Sequence, residues 1–169
     1  MLSRRLLPAL LLGTLFCAHA AGSASLPEPT GKVVLTIKGS IGLTNKGNDA
    51  VLDMAILNGL PQHTFTTHTP WSKNPIKFTG PKLSEVLKLV KAKGNMIKAS
   101  ALNDYHVDIP MEDAYRFDMV VATLINDKPI SVREKGPLFV IYPFDTNADL
   151  RSSTYYERSI WQLKSLDIQ

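Results

Sequence analysis

The 169-residue chain has one cysteine, Cys17, and it lies in an apolar stretch near the N-terminus. A single thiol excludes a disulfide framework. Charge is modest as well. The formal net charge is +4 and charged residues make up 20%, with no basic stripe interleaved with aromatics, which excludes nucleic-acid binding. Past the N-terminal stretch, no apolar run approaches the roughly 20 residues of a membrane-spanning helix. A Gly-x-Ser-x-Gly elbow, a Ser-His-Asp set and a distinguished pair of carboxylates are all missing, which removes hydrolase and glycosidase readings. His63, His68 and His106 show no zinc or non-haem iron spacing, so hydrogen-bonding or surface roles are expected for them.

What is present begins with a leader. Arg4 and Arg5 precede the apolar run Leu6 to Cys17, and Ala18-His19-Ala20 offers a small-x-small cleavage site before Ala21. Residues 1–20 are therefore expected to be a secretory signal peptide, and the protein to be exported to the periplasm. Phe16, bulky and directly before Cys17, argues against a lipoprotein. Cleavage would remove the only thiol and two arginines, taking the formal charge from +4 to +2. Residues 21–31 read as a flexible lead-in, and residues 32–169 as one domain.

Within that domain, Lys32 to Lys38 is β-branched and glycine-bounded, which predicts a strand. Asp49 is placed to cap a short helix carrying Val51, Leu52, Ala55 and Ile56. A strand from about His63 to Thr69 stops at Pro70. The steps between Leu83, Val86, Leu87 and Val90 predict a helix over 81–93, with Gly80 as N-cap, Pro81 at the first helical position and Gly94 just past the end. Strands over 96–102 and 105–109 flank Asn103-Asp104, and a helical turn follows Pro110. A hairpin is expected over 120–132 across residues 126–129, then strands over 138–142 and 160–168. Residues 143–159 show neither apolar period and read as a long functional loop carrying Tyr155, Tyr156, Arg151 and Arg158. The sum is an α+β, mainly-β single domain.

Three places could hold a ligand. Trp71, on a loop beside a strand end, can stack on a flat heteroaromatic ring or plug the core. Asn103 and Asp104 can read a hydrogen-bonding edge or shape a turn, and Tyr105 beside them can pack or make contact. In the 143–159 loop, Tyr156 and Arg158 suit recognition, the guanidinium as a fork for anions.

Taken in order, these segments resemble a known family. Trp71-Ser72, a short link, Phe78-Thr79-Gly80 and an apolar helix, then residues 101–110, Ile125 to Ile130 and Gly136 to Pro143, are similar to the molybdopterin-binding domain of the sulfite-oxidase fold. The resemblance implies a pterin site near Trp71, with the amino-pyrimidinone edge of the pterin read by Asn103 and Asp104. It also implies a metal-ligating cysteine four residues before the tryptophan, where this chain has Thr67; Thr67 and the adjacent His68 are therefore expected among the ligand-binding residues, His68 as a donor. An alcohol is a poor replacement for a soft thiolate. The expectation that follows is a non-catalytic protein that binds a reduced, metal-free pterin and signals to the periplasmic domain of a membrane-bound receptor, such as a cyclic-di-GMP enzyme or histidine kinase. The alternative is a molybdenum-cofactor oxidoreductase. In the sensor reading, the ligand orders the 143–159 loop and thereby creates the surface that the receptor recognises.

Overall fold

The computed structural model describes residues 25–169; the expected leader lies outside them. Strand β1 (Val33–Gly39) leads through a turn to β2 (Ala50–Asp53) and helix α1 (Met54–Gly59). A hairpin of β3 (Gln62–Thr69) and β4 (Ser72–Pro81) precedes α2 (Leu83–Leu89). A second hairpin, β5 (Met96–Ala101) and β6 (His106–Pro110), precedes α3 (Met111–Arg116). Three short strands follow: β7 (Val120–Ala122), β8 (Leu124–Ile125) and β9 (Lys128–Pro129). The chain ends with β10 (Phe139–Ile141), α4 (Ser153–Arg158) and β11 (Leu163–Ile168).

The strands form a five-stranded sheet in the order β2-β1-β11-β5-β6, a four-stranded sheet β3-β4-β8-β9 and a pair β10-β7. Every pairing is antiparallel except β1 with β11. Alternation along β1 buries Leu35 and Ile37, and alternation along β5 buries Ile97, Ala99 and Ala101. These join Leu83, Val86, Leu87 and Val90 of the α2 segment in one core with Phe78, Phe139, Tyr142 and Phe144. Each large apolar side chain fully buried there contributes roughly 1.5–3 kcal/mol. Among the described residues, no helix is long and apolar enough to cross a membrane.

Several local expectations are corrected. Gly80 and Pro81 do not start α2; they finish β4, and the helix runs over Leu83–Leu89 instead of to Lys93. Gly80 is needed for close approach, since a Cβ there would lie 2.1 Å from the carbonyl oxygen of Val121 on β7. Gly94 likewise abuts the backbone of Gln169 and does not terminate the helix. The cap of α1 is Asp53, whose carboxylate accepts from the Ile56 N–H; Asp49 sits in the preceding turn, because residues 50–53 pair with β1 as a strand. The hairpin after β7 turns on Asn126-Asp127 alone, both with positive φ, so its return strand is only Lys128–Pro129.

Two larger departures concern segments read as loose. In residues 25–31, Leu26 is buried, the N–H groups of Thr30 and Gly31 donate to the Asp53 carboxylate, and the Pro27 carbonyl accepts from Asn45. Residues 143–159 are not an unstructured loop: they hold a 3-10 turn over Ala148–Leu150 and helix α4, with Phe144 and Leu150 in the core. A ligand is therefore not required to order them.

Candidate functional site

The β3–β4 hairpin closes with Thr69 opposite Ser72, which leaves Pro70 and Trp71 as its turn. The indole of Trp71 is half-buried against a ring of aromatics. Its ring centroid lies 6.0 Å from those of Phe139 and Trp161, 6.2 Å from Phe144 and 6.5 Å from Tyr156. It packs on the core with one part and lines a cavity with another.

That cavity, of about 480 Å³, is formed where three elements meet. The hairpin turn gives Pro70 and Trp71, and the β5–β6 turn gives Asn103 and Tyr105. The segment through α4 gives Ser153, Tyr156, Glu157, Ser159, Ile160 and Trp161. Glu157 is the only charged side chain among these. The size and the mostly apolar wall with a few polar groups suit a small ligand. The Tyr105 hydroxyl donates to the Glu157 carbonyl at 3.3 Å, which ties the β5–β6 turn to α4. Asn103 Oδ1 accepts from the Tyr105 N–H, which leaves its amide nitrogen available. Asp104 adopts the left-handed conformation, φ 64°, that this tight turn needs.

Two buried polar atoms at the hairpin end have no partner: Thr69 Oγ1 and Trp71 Nε1. Buried donors are nearly always satisfied, so both stand out. The ammonium of Lys135 lies 5.0 Å from the centroids of the Trp71 and Trp161 rings, a double cation–π contact. Burial lowers its pKa.

The α4 wall is held from behind. Arg158 Nη1 donates to Asp113 Oδ2 at 2.9 Å, and the Tyr142 hydroxyl donates to the same oxygen at 2.7 Å. Burial and the neighbouring Asp113 push the Tyr142 phenol far above its ordinary range. The guanidinium also covers the Tyr155 ring at 5.5 Å. Arg158 therefore fixes the wall instead of facing the cavity.

Thr67 and His68 form a separate corner. Thr67 is fully buried; its hydroxyl accepts from the Asp145 N–H at 3.0 Å and donates to the His68 carbonyl at 3.4 Å. The Asp145 carboxylate accepts from the His68 backbone N–H at 2.8 Å and lies 2.9 Å from His68 Nδ1. Burial works to raise the Asp145 pKa, but the His68 N–H and ring outweigh it and hold the carboxyl below its usual range.

Of the residues singled out from the sequence, Trp71, Asn103, Tyr105 and Tyr156 meet on one wall, whereas Thr67, His68, Asp104 and Arg158 stand outside it. Glu157 and Trp161 belong to the wall without having been singled out. Trp161 had one visible signal, as an aromatic at the start of the last predicted strand. Glu157 had none, because its position depends on α4.

Among the described residues, no group of three or more His, Cys, Asp or Glu side chains could hold a metal ion. A sequence model of the family described as oxidoreductase molybdopterin binding domain matches residues 42–146. The match includes Trp71, Asn103 and Tyr105 and ends before α4 and Trp161. No curated protein matches the chain.

Proposed function

Because the chain belongs to the oxidoreductase molybdopterin-binding domain family, we propose that it binds a metal-free pterin in the Trp71 cavity and acts as a periplasmic sensor without catalysing a reaction. The observation that carries this reading is the contrast in chemistry between the cavity and the Thr67 corner. The cavity is lined by the aromatic residues Trp71, Tyr156 and Trp161, against which a flat heterocycle can pack, with Asn103 to serve a carbonyl or N–H on its rim. The Thr67 hydroxyl, where the resemblance puts a metal-ligating sulfur, is fully buried and engaged with Asp145 and His68. The only cysteine in the chain is Cys17, so residues 25–169 supply no thiolate to a soft metal. These donors suit the organic ring and do not suit molybdenum.

The signal passes through the surface around the cavity mouth. Tyr105 and Trp161 line the cavity and yet remain exposed, and Leu102 next to them is exposed too. A bound ring would add to this apolar patch, and the periplasmic domain of a membrane-bound signalling enzyme, a cyclic-di-GMP enzyme or a histidine kinase, would read the combined surface. The second reading, a molybdenum-cofactor oxidoreductase, is favoured by the description of the family itself.

Analysis of what co-purifies from the periplasm separates the two. A stoichiometric metal-free pterin is expected, whereas stoichiometric molybdenum with electron transfer to an acceptor would overturn the proposal. Trp71→Phe preserves much of the packing and is expected to weaken pterin binding by about tenfold, read by calorimetry.

A further inference from the structure

The wall of the cavity has a one-sided electrostatic character. Four aromatic residues, Trp71, Tyr105, Tyr156 and Trp161, belong to the lining, and Glu157 is the one charged residue in it. None of the ion pairs among the described residues engages Glu157. Of the cations on adjoining segments, one is paired away from the cavity and one sits against its rings. Arg158, next to Glu157 in the chain, is bonded to Asp113, and Lys135 lies over Trp71 and Trp161 without forming part of the wall.

Building on the pterin reading, we infer that the cavity selects its ligand by charge: it takes an unphosphorylated pterin, with ring N–H donors facing Glu157, and rejects the phosphate ester of the same ring. A carboxylate accepts from an N–H and an adjacent exocyclic amine as a fork, so Glu157 takes the carboxylate's part in the edge reading that the family resemblance implied for Asn103 and Asp104. A phosphate monoester carries close to two negative charges at neutral pH. In this cavity it would meet the carboxylate of Glu157, which Lys135, held against the Trp71 and Trp161 rings, does not pair with. Repulsion between like charges several ångströms apart at the edge of a protein is enough for about a tenfold loss of affinity. Glu157 thereby becomes a specificity-determining residue.

The test titrates the whole secreted chain with a hydroxymethyl-pterin and with its phosphate monoester, following quenching of tryptophan fluorescence. The wild-type protein is expected to bind the alcohol at least about tenfold more tightly. Glu157→Lys, at an exposed position where folding is not at stake, should bring the ratio to one or below, and Glu157→Gln should lower it part of the way. Equal binding of the two ligands by the wild type, or a ratio unmoved by Glu157→Lys, would overturn charge selection and leave pterin binding intact. If neither compound bound, the pterin reading would fall and this inference with it.

Discussion

Thr67 and Trp71 are four residues apart at one end of the β3–β4 hairpin, yet they occupy opposite kinds of environment. Around Thr67 the polar groups satisfy one another: the hydroxyl, the Asp145 N–H and carboxylate, and the His68 N–H and ring close into a self-contained set. Around Trp71 they do not, since Trp71 Nε1 and Thr69 Oγ1 are buried without partners and Trp71 lines a cavity. A closed set of hydrogen bonds gains little from any ligand. An open aromatic wall still has apolar surface to cover. The difference teaches that a position implied by family resemblance can be structural in a particular chain while its neighbour lines an open cavity.

The largest effect on this contrast is expected from removing the support behind α4. Asp113→Ala strands the Arg158 guanidinium and the Tyr142 hydroxyl, whose common partner it is. The pair is mostly buried, with side-chain exposures of 22% for Arg158 and 10% for Asp113, so the loss is about 3 kcal/mol in urea unfolding. Exposed pairs such as Lys88–Glu85 contribute far less. Hydrogen exchange should show the α4 amides losing protection while β3 keeps it. Equal loss in both would mean that the cavity wall and the Thr67 corner are one unit, and the contrast would fail.

How much of this was readable in the sequence depends on how local each cause is. The period of Leu83, Val86, Leu87 and Val90 announced α2, and the Asn103-Asp104 turn announced the β5–β6 hairpin, because both signals lie within a dozen residues. Gly80-Pro81 misled: it has the form of a helix start, but the glycine answers to Val121, some forty residues away. Asp53 and Asp49 both precede apolar residues, and only pairing of β2 with β1 decides between them. Helix α4 was hidden for a similar reason. It is six residues long and none of them is fully buried, so it shows no apolar period, and its anchors are the contact of Arg158 with Asp113 and the Tyr155 and Tyr156 rings set against Tyr142 and Phe144. The candidate site was half legible. Trp71, Asn103, Tyr105 and Tyr156 could be proposed by residue type, whereas Glu157 and Trp161 join them only through tertiary geometry.

A middle-sized effect sharpens the contrast from the other side. Thr67→Val keeps the shape of the side chain and removes the acceptor of the Asp145 N–H, which costs about 1–2 kcal/mol of stability. Pterin affinity should not change, because Thr67 is not on the cavity wall. Loss of binding with little loss of stability would move the ligand to Thr67 and restore the metal-ligand position as the working one.

The smallest effect is one of pH, and it belongs to Asp145. Its folded carboxyl is held below the ordinary range, mainly by the His68 N–H working against burial. In the unfolded chain the same group titrates near about 3.9. A lowered folded pKa means that the carboxylate's contribution is complete above that unfolded value and disappears as the pH falls through the folded one. Asp145→Asn should therefore flatten the acid limb of the urea-unfolding midpoint against pH and leave the neutral limb with a small constant offset. The Asp145 side chain is about one-third exposed, so solvent screening keeps the effect modest. Pterin affinity, measured for wild type and Asp145→Asn side by side at each pH, should remain superimposable, because the corner and the cavity do not share this group. If the two affinity curves parted in the range where Asp145 titrates, the corner would be coupled to ligand binding, and the separation between the two ends of the hairpin would be lost.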